Sequence, residues 1–318
     1  MNDAKKIVFF GTSHFAVPIL NKLADSPFRP SLVVTQPDAI VGRKKILMAP
    51  PIKVAAKAAS IEVMQPETLK TEGTKNLLMN YDPDLFILAA YGKIIPDSVL
   101  KIPRLGNLNI HPSLLPLFRG SSPIHAAILS GVSETAATII QMDEEIDHGP
   151  IVAQEKINLS GTETYDALQK ILSEYSANLL LKILPDYCAG NIKPAAQDHP
   201  KASFTKLIKP EDARIDWSKP ADEIDRQIRA YHLWPKAHTA WKESPDARSL
   251  RINILKAGKA ESPQTHKPGT VIPFGSAFAI AAGSDLIVPE ILQLEGRKES
   301  DAGSFLRGHQ NFIGTILL

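Results

Sequence analysis

The sequence predicts an α/β chain: its first part is a doubly wound, mostly parallel sheet, and its last third is a small β-barrel. Three observations carry this. Apolar β-rich runs at Lys6-Ile-Val-Phe-Phe10, Ser31-Leu-Val-Val-Thr35 and Asp84-Leu-Phe-Ile-Leu-Ala-Ala90 alternate with stretches of helical spacing, as in a sheet covered on both faces. Asp186 to Ala202, with Pro194, Pro200 and the polar Asn191, Gln197 and Asp198, reads as a linker. Beyond it short β-like runs recur at 251–255, 270–272, 277–281 and 286–288, separated by Gly and Pro.

A chain of 318 residues has room for one large domain or two ordinary ones with a substantial core. Its 44% hydrophobic and 22% charged content excludes a disordered polymer. Cys188 is the single cysteine, so no internal disulfide and no Cys-rich metal site is available. No apolar run reaches the roughly 18 residues of a membrane span, and no signal-peptide core precedes the first strand, so the expected compartment is the cytoplasm. Lys plus Arg number 19 against 20 Asp plus Glu over residues 1–200, and 17 against 14 over 201–318. That C-terminal excess is too small to identify a nucleic-acid binder by itself.

The first strand runs into Gly11-Thr-Ser13, and Phe15, Val17, Ile19, Leu20 and Leu23 then recur at helical spacing with Ser13 placed to cap them. This turn lacks G-x-G-x-x-G, which argues against NAD or FAD there. Residues 36–51 are expected as a loop. Its basic tip, Gly42-Arg43-Lys44-Lys45, is suited either to ordinary solvation or to reaching across a polyanion. Helices are expected over Ile52 to Ala59 and Pro66 to Asn80, with a short strand at Glu62-Val-Met64 between them. Later come a strand at Ile151 to Ile157, the longest helix at Thr162 to Leu184, a strand-like piece at Ala213 to Trp217 and a helix at Ala221 to Ala230.

Asn107 to Gly149 gathers the residues able to do chemistry. Leu108 and Ile110 alternate with Asn107, Asn109 and His111, the period of a strand with one polar face, so Asn109 and His111 point the same way. Pro112 and Pro116 end regular structure, Arg119-Gly120 with Pro123 leads into a helix at Ile124 to Leu129, and Thr138 to Met142 is the next strand. Asp143 to Gly149 then forms an acidic loop, expected to meet the amide and the imidazole on one rim, outside the carboxyl ends of the strands. Such a trio can take a proton from an attacking amine and hold a developing oxyanion. A hydrogen-bonded core histidine with a satisfied Asn beside it is the competing reading of the same spacing.

The string Asn109-x-His111-x-Ser113-Leu-Leu-Pro116, the following Arg119-Gly120-x-x-Pro123, and Asp147-x-Gly149 closely resemble the 10-formyltetrahydrofolate-dependent formyltransferases. The resemblance implies Asn109, His111 and Asp147 as catalytic residues and 10-formyltetrahydrofolate as formyl donor, with no metal. It places the folate against Ser113, Leu114, Leu115 and Pro116, against Ala90, Tyr91, Gly92 and Ile94 of Ala90 to Pro96, and against Met142, Asp143 and Glu145. It also implies a Rossmann-like catalytic domain over 1–189, a linker over 190–208 and an OB-like domain over 209–318.

The shared motif fixes the chemistry and leaves the acceptor open among glycinamide ribonucleotide, amino sugars and methionyl-tRNA. Ala213 to Pro220, Ile228-Arg-Ala230 with Trp234-Pro235, Leu292 to Gly296 and Phe305 to Gly308 resemble the methionyl-tRNA branch. In that branch the loop here containing Arg43, Lys44 and Lys45 packs into the acceptor stem of initiator methionyl-tRNA, and the enzyme is expected as a monomer. Departures are Pro112 in place of Gly or Ala, His148 in place of Thr, and Tyr231-His-Leu with Lys236 and His238 at the domain junction. None removes a catalytic group.

Overall fold

The structure is a computed structural model that describes residues 5–42, 45–244, 246–262, 264 and 266–318. The chain divides into two compact units. The first comprises 1–123, 134–158 and 169–206; the second comprises 124–133, 159–168 and 207–318.

In chain order the elements begin with β1 (Ile7–Gly11), α1 (Ala16–Ala24), β2 (Pro30–Val34), β3 (Ala39–Val41), β4 (Ile46–Met48) and α2 (Pro51–Ala58). There follow β5 (Glu62–Met64), α3 (Glu72–Asn80), β6 (Leu85–Ala89), α4 (Asp97–Leu100), β7 (Asn107–His111) and β8 (Arg119–Gly120). Then come α5 (Pro123–Ser130), β9 (Glu134–Gln141), β10 (Ile151–Asn158), α6 (Tyr165–Cys188) and β11 (Phe204–Thr205). Seven strands form one sheet in the order β10-β9-β7-β6-β1-β2-β5. The pairs β7-β6, β6-β1, β1-β2 and β2-β5 are parallel. Every residue of β1 and β6 is buried, as their unbroken apolar sequence requires of strands covered on both faces.

Four local expectations change. The 36–51 segment is a hairpin, β3 against β4, with Ile40 opposite Leu47. The first helix starts at Ala16 with Phe15 at the capping position, and its first amide donates to the Ser13 carbonyl rather than to a side chain. The helix expected from Pro66 begins only at Glu72, where the Thr71 side chain accepts from the Thr74 amide. Arg119-Gly120, expected as loop, pairs in parallel with Phe204-Thr205.

The second unit adds α7 (Ala221–Ala230), β12 (His238–Trp241), β13 (Leu250–Ala260), β14 (Val271–Phe274), β15 (Ala277–Ala281), β16 (Leu286–Leu294), β17 (Glu299–Asp301) and α8 (Ala302–Gly308). The antiparallel order is β12-β13-β16-β15-β14, with β17 on β16. The gap between β12 and β14 is bridged by the stretch from Thr315 to Leu318. Leu318 exchanges backbone bonds with Ala240, Leu317 donates to Gly269 and Val271 donates to Thr315. Trp241, Phe278, Phe305 and Phe312 fill the interior edge to face, which gains from the ring quadrupoles beyond the buried area. The expected strand at 213–217 reduces to one bridge, Arg214 with His238, after a 3₁₀ turn at Pro210–Ala213.

His125 belongs to this unit and stacks on Tyr165 at 4.2 Å. Burial pushes its imidazole down to about 4 from the ordinary 6.5. The unfolded chain therefore binds a proton at a higher pH than the folded one. Stability is complete above about pH 6.5 and is lost as pH falls toward 4, by on the order of 2 kcal/mol. Trp217, Trp234 and Trp241 all lie in this unit, so tryptophan fluorescence during urea unfolding follows it. His125→Phe should keep the stack and flatten the loss between pH 6.5 and 4.5; an unchanged pH profile would exclude His125 as its source.

Candidate active site

β7 is held on one side by β6 and on the other by β9, which runs antiparallel to it with Leu108 opposite Gln141 and His111 opposite Thr138. Because β9 runs against β7, it ends level with Leu108. The 142–149 loop therefore does not continue beyond the carboxyl end of a parallel strand, as the sequence suggested. It folds back over the face that carries Asn109 and His111.

There the trio meets. Asn109 Nδ2 donates to Asp147 Oδ1 at 3.0 Å, and His111 Nδ1 lies 3.4 Å from Asp147 Oδ2. The Gly120 amide donates to the same Oδ2 at 2.7 Å. On its far side, His111 Nε2 lies 3.0 Å from the Phe118 carbonyl. A carbonyl only accepts, so Nε2 carries the hydrogen, and Nδ1 is the nitrogen free to take or share a proton. The His111 side chain is 5% exposed and that of Asp147 11%. The carboxylate therefore acts at short range in a largely dry setting, where its attraction for a cationic imidazole is stronger than in water.

The loop bearing Asp147 is held closely. Asp147 has a φ of 51°, uncommon outside glycine. Gln197 Nε2 donates to the Asp147 carbonyl at 2.9 Å and to the Gly149 carbonyl at 2.7 Å. Arg119 donates to Gln197 Oε1 from Nε at 3.2 Å and Nη2 at 2.7 Å, and Nη2 also reaches His199 Nδ1 at 2.9 Å. His199 stacks on His148 at 4.0 Å, and His148 Nδ1 lies 2.6 Å from Asp143 Oδ2. The sequence placed Gln197, and His199 beside it, in the expected linker from Asp186 to Ala202. No motif marks them; the bridge between Ala195 and Ile151 and the parallel pairing of β8 with β11 bring their segment here.

The expected folate residues divide into two groups. Ala90, Gly92, Ile94 and Glu145 are exposed, and Leu114, Pro116, Met142 and Asp143 are half-buried. Ser113 and Leu115 point inward: Ser113 Oγ donates to the Leu117 carbonyl at 2.7 Å, and the Leu115 carbonyl accepts from Gln154. The Tyr91 ring is in the core against Phe10, with burial holding its phenol up at about 12. Its carbonyl accepts from Thr12 and Gln36 at 2.8 Å each. Tyr91 therefore cannot line a pocket with its ring. Exposed Ala90, with φ 46°, breaks the strand after β6, and the Tyr91 ring beyond it packs inward on Phe10. Ile94 is 80% exposed and Ile146 63%, and Leu114 and Pro116 are half-buried.

The β3-β4 hairpin exposes Ile40, Ile46, Leu47 and Met48, all over half exposed, an apolar display that single surface residues do not make. Lys45, with φ 50°, sits exposed at its tip; Arg43 and Lys44 lie outside the described residues. At the base Lys53 bonds Asp38 at 2.7 Å and, with Gln65, holds that carboxyl below the usual carboxylate range. A cavity of about 1020 Å³ opens beside it, lined by α1, α2, Ala39 and Met48 and containing none of the trio. Among the described residues no group of three His, Cys, Asp or Glu converges as metal ligands, and no helix is long and apolar enough to cross a membrane.

Residues 5–184 match the family model for formyl transferase, and 207–310 match the model for the formyl transferase C-terminal domain. The chain belongs to the formyl transferase family. As a formyl transferase it is 41% identical over 304 residues to the methionyl-tRNA formyltransferase of Listeria welshimeri, spanning 95% of each chain. It is 42% identical over 305 residues to that of Chloroflexus aurantiacus, spanning 95% of this chain and 96% of the other. Among solved structures, the sugar 3N-formyl transferase WlaRD, determined in the presence of dTDP and 5-N-formyl-THF, superposes with a TM-score of 0.64 at 18% identity. The match covers 93% of this formyl transferase and 100% of WlaRD. HypX from Aquifex aeolicus in complex with tetrahydrofolic acid gives 0.63 at 17% identity, and the match covers 98% of this chain and 48% of HypX. At these identities the two structures establish the fold alone.

Proposed function

We infer that the chain transfers a formyl group from 10-formyltetrahydrofolate to the α-amino group of initiator methionyl-tRNA, for translation initiation. The observation that carries this reading is the meeting of Asn109, His111 and Asp147 within hydrogen-bonding reach, in a chain matched over 95% of its length by methionyl-tRNA formyltransferases.

The amine attacks the formyl carbon as a neutral nucleophile. It must lose a proton, and N10 of the departing folate must gain one. His111 takes the amine proton on Nδ1, Asp147 stabilises the resulting imidazolium, and a relay through Asp147 returns a proton to N10. Asn109 gives one Nδ2 hydrogen to Asp147 and keeps the second for the oxygen on which negative charge develops. The folate lies against the backbone of Ser113 to Pro116, with Ala90, Gly92, Ile94, Met142, Asp143 and Glu145 around it and Tyr91 contributing through its backbone.

Acceptor recognition is assigned to Arg43, Lys44 and Lys45 at the hairpin tip and to the C-terminal barrel. Phosphate contacts there supply position and salt-dependent affinity. The exposed apolar strands behind the tip favour a role in contact over ordinary solvation. We assign the catalytic domain to 1–189, the linker to 190–208 and the tRNA-binding domain to 209–318, and we take the enzyme to act as a cytoplasmic monomer.

The test is purified protein with 10-formyltetrahydrofolate and methionyl-tRNA, run beside free methionine and an amino-sugar nucleotide. The charged tRNA should be the substrate formylated; preference for a small amine overturns the acceptor. In the same assay Arg43→Ala should lower turnover on methionyl-tRNA about 10-fold or more, the scale of one lost charged contact, and leave folate affinity alone. Full activity in that variant removes the hairpin tip from recognition.

A further inference from the structure

We propose that Gln197, clamped by Arg119, is the positioning residue that fixes Asp147 for proton transfer. The proposal rests on the assignment of Asp147 to the acid–base work and names what keeps it in place.

Gln197 has two amide hydrogens and one carbonyl oxygen, and all are used. Both hydrogens go to the loop, one to the Asp147 carbonyl at 2.9 Å and one to the Gly149 carbonyl at 2.7 Å. The oxygen accepts twice from Arg119, at 3.2 and 2.7 Å. The amide cannot turn over: a guanidinium only donates and a carbonyl only accepts, so a flipped amide would set donor against donor and oxygen against oxygen. Gln197 is 6% exposed and Arg119 3%, so neither bond competes with water. Arg119 is itself anchored: its amide donates to the Ser203 carbonyl at 2.9 Å, and its Nη2 reaches His199.

What this amide holds is a backbone that would otherwise relax. Asp147 is in the left-handed region, and its side chain reaches Asn109, His111 and Gly120 only from that backbone. The hydrogen bonds of Gln197 go to Arg119 and to the Asp147 and Gly149 carbonyls, so it acts through the Asp147 main chain. A displacement of about 1 Å at a proton-transfer group costs on the order of 10² in rate. The burial and saturation of Gln197 exceed what a linker needs, and the segment that carries it pairs with the site through β8 and β11.

The experiment is a double-mutant cycle. Gln197→Glu keeps an acceptor for Arg119 and removes both donors to the loop; Gln197→Met removes donors and acceptor without adding charge. Each is made alone and with Asp147→Asn, and kcat, KM for both substrates and near-UV circular dichroism are measured on the full chain. Alone, both should lower kcat about 10- to 10²-fold, with both KM values within about 2-fold and the spectrum unchanged. With Asp147→Asn present, the further loss should be under about 2-fold, because a residue acting through Asp147 has nothing left to position. Near-normal kcat in either single variant, or an equal loss in both backgrounds, overturns the proposal. If Asp147→Asn alone leaves kcat intact, the underlying assignment of Asp147 fails instead.

Discussion

His111→Ala and Asp147→Asn should each lower kcat by about 10² or more while leaving folate affinity within about 2-fold. The reason differs for each residue. Removing the imidazole removes the ring nitrogen that faces Asp147, Nδ1, since Nε2 is committed to the Phe118 carbonyl. An amide at position 147 keeps the shape and loses the charge. Both carboxylate oxygens now accept hydrogens, from Asn109 and from Gly120. An amide must therefore set its own NH₂ against one of these donors, leaving a buried donor unpaired and no anion beside the imidazole. The double variant should be little slower than the worse single one, because the two residues serve one proton transfer. Stopped-flow single turnovers with saturating folate separate this step from binding. Near-normal single-turnover rates in His111→Ala would falsify the base assignment.

Gly149→Ala should lower kcat by more than about 10²-fold without altering an atom of Asn109, His111 or Asp147. A Cβ on this residue would sit 1.8 Å from the Gln141 carbonyl oxygen and 3.3 Å from the Asp143 amide, both backbone atoms at the foot of the loop. Neither end can swing aside like a flexible side chain, so the 142–149 segment must move as a whole. The overpacking costs on the order of 3 kcal/mol, and Asp147 leaves its partners. Unlike Asp147→Asn, this variant should also weaken folate binding, because Met142, Asp143 and Glu145 move with the loop. The expected pattern is a lowered Tm, kcat down by more than about 10²-fold and a raised folate Kd together. Wild-type folate affinity in a folded Gly149→Ala protein would separate this loop from the folate site.

Most of the parallel sheet and the trio were legible in the sequence because the same residues carry the period and the chemistry. Leu108 and Ile110 set the alternation that puts Asn109 and His111 on one face, and β1 and β6 announce themselves by being apolar throughout. The β3-β4 hairpin was not legible, because its apolar residues face outward and no buried side imposes a pattern. Tyr91 followed the resemblance rather than its own surroundings; the positive φ of Ala90, which no sequence pattern marks, precedes a ring packed on Phe10. The direction of β9 was hidden because alternation reads the same from either end of a strand. Gln197 was hidden for a different reason. Its partners are 48 to 78 residues away, and a polar residue between prolines carries no periodic signal of its own.

The pairing of β8 with β11 bears on how such enzymes can be recombined. The amino-terminal family match ends at residue 184, yet Gln197, Ser203 and Thr205 still bond to Asp147, Phe118 and Arg119. A chimera joined near residue 190 would supply those contacts from the wrong parent. Gly120 shows how narrow the tolerance is, since a Cβ there would lie 2.8 Å from the Thr205 carbonyl oxygen. A crossover after Lys206 keeps the strand pair with its own parent. The second unit also includes 124–133 and 159–168, so even that junction parts Arg226 from the Leu129 carbonyl and Arg229 from the Glu163 carbonyl, and no single crossover keeps each unit with one parent.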